Sequence, residues 1–321
     1  MPHRIPGLAL LFPGQGSQAA GMGKELAFNH IVARRTFEEA DAALGYDLTK
    51  LCFEGPDEQL RLTEITQPAI LTVSVAACRV LAEAGIVPSF VAGHSLGEYS
   101  AHVAAGTLSF ADAVRTVRNR GKYMQEAVPV GVGAMAAILM LSVEKIQEAC
   151  CEALAGFPGE VCEPANINSP GQVVISGSKA AVETAAELCK QKGAKRAVML
   201  PVSAPFHCSL MQPAQERLAA DLKALTFHAP QIPVMCNVEA VLVTGAAKSR
   251  ETLIRQVTGA VQWESSMRAL VARGVTKFIE AGPGTVLTGL LRQIDKSHSC
   301  LSVENEATLQ KCKSQFVKLD D

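Results

Sequence analysis

Aromatic side chains are scarce in this chain: one Trp, three Tyr and eleven Phe make up 5% of 321 residues, although 48% of the residues are hydrophobic. An interior so poor in rings has to be filled by small aliphatic groups, alanine among them, which suits helices packed closely against a sheet and excludes a disordered chain. Net charge is nearly absent as well. Thirty Lys plus Arg face 31 Asp plus Glu, a formal charge of −1, which leaves no global electrostatic footprint for nucleic acid and room only for local basic pockets. Long apolar runs are missing: the longest, Ala134 to Leu141, is far too short for a bilayer, so no membrane anchor is expected. The ten cysteines, with Cys150 and Cys151 adjacent, form neither a C-x-x-C pair nor a Cys/His spacing of the kind zinc requires, so buried reduced thiols are expected and a metal site is not. The opening "MPHRIPG" leads straight into a strand with no signal-peptide pattern, which makes a reducing cytoplasm the expected compartment.

What is present has the order of an α/β protein. Leu8 to Phe12 ("LALLF") is a continuous apolar run ending in Pro-Gly, the mark of a buried parallel strand. Helical patterns follow at Ile31 to Leu44, Asp57 to Leu62, Pro68 to Ala84 and Ala111 to Glu126. From Gly133 the order changes to strand (Ala134 to Met140), helix (Val143 to Leu154), two strands in "ANINSPGQVVISG", helix (Lys179 to Lys192) and strand (Ala194 to Leu200). That is βαββαβ, the order of a ferredoxin-like unit, with Pro-Gly turn chemistry between its central strands. The α/β pattern then resumes with helices near Gln212 to Leu225 and Ser249 to Val257, the strand "VTKFIEAG" and a helix after "GPG". The expected organisation is a large parallel-sheet α/β subdomain made of residues 1–130 and 201–321, with residues 131–200 inserted as a ferredoxin-like subdomain.

The segment "FVAGHSLGEYSA" contains G-x-S-x-G between a short strand, Ser89 to Ala92, and a small-residue helix, Leu96 to Ala105. At such a corner the flanking glycines allow the strand and helix to approach, and Ser95 is left exposed above the sheet at a helix start. The competing interpretation is a tight turn whose serine only caps the helix. A serine hydroxyl needs a base at neutral pH. Of the seven histidines (His3, His30, His94, His102, His207, His228 and His298), His207 in "VSAPFHCSLM" lies at the junction of the inserted and returning segments, although an ordinary packed histidine remains an alternative there. His94 is too close to Ser95 to act as its base and fits a wall of the site.

The loop "FPGQGSQAAGMG" carries Gly14-x-Gly16-x-x-Ala19, a loose dinucleotide pattern, but no acidic residue ends a second strand about twenty residues later. The other interpretation is a loop that aims a backbone N–H at an oxyanion. On the helix from Ala111 to Glu126, a projection at 100° per residue puts Arg120 about 60° from the centre of the apolar side, and Arg115 and Lys122 about 140–160° away. An inward guanidinium needs an anion, which a substrate carboxylate or a structural ion-pair partner would supply.

Taken together, "LFPGQGSQ", "TQPAI", "GHSLGEYSA", "RGKYMQEA", "GAMAAI", "NINSPGQVVISG", "PFHCSLM", "VQW" and "EAGPG" closely resemble, in order, the malonyl-CoA:acyl carrier protein transacylase family, relatives of the acyltransferase domains of fatty acid and polyketide synthases. The resemblance covers nearly the whole chain. It implies a hydrolase-like α/β core with an inserted ferredoxin-like subdomain. Ser95 then looks like the acylated nucleophile, His207 the general base, and Arg120 the clamp for the malonyl carboxylate. The N–H groups of Gln15 and Leu96 look like the oxyanion hole, and the main-chain carbonyl of Gln262 the group that orients His207. His94 and Phe206 look like substrate-binding walls, the Phe206 ring disfavouring an α-branched acyl group. The implied partners are malonyl-CoA and a phosphopantetheinylated acyl carrier protein, with no metal or redox cofactor and a monomeric enzyme expected. A fatty acid pathway, a polyketide pathway, a serine thioesterase that hands the acyl group to water, and a noncatalytic nucleotide binder built on the Gly14 loop stand as the competing functional interpretations.

Overall fold

The structure, a computed structural model, describes residues 4–202 and 204–316; of the seven histidines, His3 lies outside the described residues. The strands are β1 (Leu8–Phe12), β2 (Phe90–Gly93), β3 (Gly133–Leu139), β4 (Cys162–Ser169), β5 (Gln172–Ser178), β6 (Arg196–Met199), β7 (Val234–Met235), β8 (Leu242–Val243), β9 (Lys277–Ala281) and β10 (Cys300–Val303). They form two sheets. The larger has six strands in the order β10-β9-β1-β2-β7-β8, parallel throughout except for the antiparallel pair β7 and β8. All five residues of β1 are buried, because the sheet is covered on both faces.

On one face, Leu8, Leu10 and Phe12 pack with the helices Ile31–Leu44, Thr63–Glu83 and Phe110–Glu126; on the other, Ala9 and Leu11 pack with Trp263, Met267 and Leu291. The alternation along a single strand is what divides the two cores. The helix Thr63–Glu83 begins earlier than its sequence pattern suggests and carries Pro68 within it. At the sixth position the proline removes one helical hydrogen bond and its ring crowds the carbonyl of Glu64, and burial of most of the helix outweighs that cost. By length and hydropathy this helix resembles a membrane span, but 78% of its most apolar window is buried, as in the central helix of a folded core.

The smaller sheet is antiparallel, in the order β4-β5-β3-β6, with the helices Val143–Leu154 and Lys179–Gln191 on one face. For a βαββαβ chain this is the ferredoxin-like arrangement expected from the sequence. The two sheets meet where β4 pairs with the segment before the helix Trp263–Ala272: Ile167 N donates to Val261 O at 2.9 Å and Val261 N donates to Ala165 O at 2.8 Å. Met135, Ala165 and Val174 on the open face of the small sheet pack with Leu200, Val202 and Phe206, so this face becomes a wall of the cleft between the sheets.

Candidate active site

The corner after β2 explains the two glycines. A Cβ on Gly93 would lie 1.9 Å from the backbone of Gly97, and one on Gly97 would lie 2.0 Å from the Phe12 carbonyl oxygen. Strand, turn and helix touch backbone to backbone, and no side chain fits. Ser95 sits at the apex with φ of 50°, a left-handed conformation that costs a non-glycine residue about 1 kcal/mol and has to be held by its surroundings. Asn237, beyond β7, holds it: its Oδ1 accepts from Ser95 N at 2.7 Å, and its Nδ2 donates to Gly93 O at 2.7 Å.

The Ser95 hydroxyl lies 2.7 Å from His207 Nε2. His207 is buried and also left-handed, with φ of 60°. Its Nδ1 donates to Gln256 O at 2.9 Å and to Gly259 O at 3.2 Å, and two acceptors there require the proton on Nδ1. Nε2 is therefore a lone pair facing the serine O–H. Gln256 caps the C-terminus of the helix Ala246–Arg255, where carbonyls lack helical partners and the dipole favours a positive charge. Gln262 takes no part. Its carbonyl accepts from Ser266 and its N–H donates to Asn237 O, so it starts the next helix, and the orienting carbonyls expected of it belong instead to Gln256 and Gly259. Burial, followed by the positive charge of Arg120, pushes His207 down to about 3, so the imidazole is neutral across the physiological range.

Arg120 is 2% exposed, while Arg115 and Lys122 on the same helix face solvent, as the periodicity predicts. Its Nη1 donates to Gln67 Oε1 at 2.8 Å, and its Nη2 to Gln256 Oε1 at 3.0 Å and to Ser95 Oγ at 3.1 Å. Among the described residues no carboxylate forms an ion pair with it, and its Nε is buried with no partner. The structural ion pair that competed for this residue is therefore absent here. A buried guanidinium that donates to two amides and a hydroxyl, lies against the Tyr99 ring and has Glu98 nearby but not in an ion pair is suited to receive a further anion.

A cavity of about 430 Å³ opens onto these groups. Gln15 and Leu96 line it beside Ser95, and neither backbone N–H donates to another described residue. Leu96 immediately precedes the helix Gly97–Ala104, so its amide points from the positive end of the helix. His94 forms another part of the wall, its Nε2 lying 2.8 Å from Asn168 Oδ1 and its ring 5.4 Å from that of Trp263. Met135, Leu200, Val202 and Phe206 make the side facing the small sheet apolar. The Gly14 loop does not make a dinucleotide site. Gly14 is pressed against the His94 carbonyl, where a Cβ would stand 2.6 Å away, and the next helix starts only at Lys24 instead of opening from the loop.

The chain matches the model of the acyl transferase domain over residues 9–317. It belongs to the acyl transferase family. This acyltransferase is 51% identical over 308 residues to a malonyl CoA-acyl carrier protein transacylase of Salmonella typhimurium, covering 96% of this chain and 99% of the relative. A protein of the same name from Bacillus subtilis is 49% identical over 303 residues, covering 94% and 95%. An acyl carrier protein S-malonyltransferase structure from Vibrio cholerae superposes with a TM-score of 0.93 at 50% identity, covering 95% of this chain and 99% of that one. A malonyl-transacylase solved in complex with its type II polyketide synthase acyl-carrier protein matches with a TM-score of 0.93 at 47% identity, covering 96% and 99%.

Sequence reasoning missed several of the acyltransferase's site groups. Gln67 stands in "TQPAI" and Glu98 in "GHSLGEYSA", both inside motifs that were singled out, but neither carries a pattern that announces what it bonds. Gln256 and Asn237 lie outside those motifs altogether, and only the tertiary fold brings them under the serine.

Proposed function

We propose that this acyltransferase moves a malonyl group from malonyl-CoA to the phosphopantetheine thiol of an acyl carrier protein through a malonyl ester on Ser95, supplying extender units for fatty acid synthesis. The observation that carries this reading is Arg120: a buried guanidinium with no carboxylate in an ion pair with it among the described residues, 3.1 Å from a hydroxyl that is itself 2.7 Å from a neutral imidazole. A nucleophile beside a buried cation that forms no ion pair among the described residues suits an acyl group that ends in a carboxylate. The names of the relatives agree with it.

His207 Nε2 takes the Ser95 proton as Oγ attacks the thioester carbonyl, and the carbonyls of Gln256 and Gly259 support the charge that forms on the ring. The oxyanion is held by the N–H groups of Gln15 and Leu96, an arrangement worth about 100- to 1,000-fold in rate per donor. Collapse expels CoA as the thiol, protonated by His207. The carrier thiol then attacks the ester in the same geometry, with His207 again as base, and Ser95 regains its proton. Arg120 pairs with the malonyl carboxylate, so that charge is not desolvated alone. Phe206 crowds the carbon between the two carbonyl groups and disfavours a branch there, and His94 is a fixed wall held by Asn168. These steps need only protein groups and the two thiols.

The segment 131–200 serves as an inserted subdomain whose open sheet face completes the cleft. The ten free thiols suit a reducing cytoplasm.

The test is incubation with malonyl-CoA and phosphopantetheinylated carrier protein, followed by mass analysis of the carrier. Malonyl-carrier is the expected product. Free malonate with no malonyl-carrier would replace transfer by hydrolysis.

A further inference from the structure

Beneath the nucleophile corner lies a carboxyl group that the reaction described above does not use. Glu98, the second residue of the helix Gly97–Ala104, is fully buried and lies outside the cavity lining, so it does not reach substrate. Its Oε2 accepts from Gln256 Nε2 at 2.7 Å and from Asn237 N at 3.1 Å, while its Oε1 has no partner among the described residues.

Each of those partners reaches one bond further. Gln256 Nε2 also donates to Ser95 O at 2.9 Å, and Gln256 Oε1 accepts from Arg120 Nη2 at 3.0 Å. Asn237 Oδ1 accepts from Ser95 N. The Gln256 amide has a polarity, and both of its ends face charged or polar neighbours. Turned over, it would set its oxygen against three acceptors, Glu98 Oε2, Ser95 O and Asn237 Oδ1, and its NH₂ against the Arg120 guanidinium. The acceptor at position 98, which takes the shortest of the bonds from Gln256 Nε2, acts with Ser95 O and Arg120 to select the orientation observed.

We propose that Glu98 is a positioning residue of the transfer reaction, fixing through Gln256 and Asn237 the aim of Arg120 and the peptide of Ser95. The inference rests on the reading of Ser95 as nucleophile and Arg120 as carboxylate clamp. The titratable and charged groups that act on Glu98 or are acted on by it are Arg120 on the helix Phe110–Glu126, Cys236 after β7 and Tyr99 on its own helix. Burial pushes Glu98 up to about 7, opposed by the bonds from Gln256 and Asn237 and by the charge of Arg120. Below that pH the group takes up a proton and loses its charge, so the bonds that Oε2 accepts from Gln256 and Asn237 are no longer charge-assisted and its hold on Gln256 weakens on the acid side.

The experiment compares wild type, Glu98→Gln and Glu98→Ala in two assays: labelling of Ser95 by a fluorophosphonate, and malonyl transfer from malonyl-CoA to carrier protein, each from pH 5.5 to 8.5. At pH 8, Glu98→Ala is expected to lose about 100-fold in kcat, the cost of a reacting group misplaced by about 1 Å. Glu98→Gln can keep its oxygen where Oε2 stands and is expected to stay within about tenfold of wild type, while losing the acid limb near pH 7. Glu98→Ala within threefold of wild type, Glu98→Gln as impaired as Glu98→Ala, or an unchanged acid limb in Glu98→Gln would each overturn the positioning role. If Glu98→Ala does not fold, the pH profile of Glu98→Gln decides alone. A wild-type protein that neither labels at Ser95 nor transfers malonyl overturns the underlying reading itself.

Discussion

Arg120→Ala is the perturbation with the most specific outcome. The side chain is 2% exposed and donates to Gln67, Gln256 and Ser95, with no acidic partner among the described residues. A bound malonyl carboxylate would enter that same buried space and pair with it. Removing one member of a buried, hydrogen-bonded charge pair costs about 2–5 kcal/mol. At about 1.4 kcal/mol per factor of ten, kcat/KM for malonyl transfer should fall by about 30- to 4,000-fold. Acetyl transfer has no carboxylate to lose. It forfeits only the 3.1 Å donation to Ser95 Oγ, a hydrogen bond to the nucleophile worth about 1 kcal/mol or roughly fivefold. The malonyl-to-acetyl ratio of kcat/KM should therefore drop at least about sixfold. The assay is the initial rate of carrier acylation from each CoA thioester, with Arg120→Met as a volume-matched companion and thermal unfolding to show that both variants fold. Equal losses for malonyl and acetyl would refute the clamp.

Gly97→Ala would place a Cβ 2.0 Å from the Phe12 carbonyl oxygen, and should lower the unfolding midpoint while abolishing acylation; a stable, active variant would contradict the packing argument for the corner. Gln262→Ala is expected to act within about threefold of wild type, whereas Gln256→Ala, which unseats the amide between Ser95 and Arg120, should lose about tenfold or more, and the reverse order would restore Gln262 to the site. The charge of Arg120 adds to burial in holding His207 down, so Arg120→Ala should raise the pH at which the His207 imidazole takes up its proton, below the limb assigned to Glu98 and read by NMR titration of the ring; a downward shift would reverse the sign assigned to that interaction.

The parts legible in the sequence are those that side-chain periodicity or steric need writes into it. The corner at Ser95 is legible because two backbones cannot approach without glycine, and Arg120 because a helix repeats every 3.6 residues and its neighbours Val117 and Met124 mark the buried side. The βαββαβ unit is legible because β3 and β5 have seven residues each and its two helices carry a clear apolar side. By contrast, β7 and β8 are two residues each, too short for any period to appear. The histidine-orienting group is a main-chain carbonyl, which any residue type can supply. The resemblance pointed to Gln262, but the free carbonyls are those at the end of the helix Ala246–Arg255 and in the turn after it, at Gln256 and Gly259. Glu98 and Asn237 meet across about half the chain, a contact that only the fold creates.

The most direct measurement is the intact mass of the protein after brief exposure to malonyl-CoA without carrier protein, followed by fragmentation of the modified peptide. The account predicts a single malonyl group, carried on Ser95, discharged on addition of the carrier and absent in Ser95→Ala. A malonyl group that forms equally in Ser95→Ala, or carrier malonylation with no acyl-protein at any time point, would contradict it.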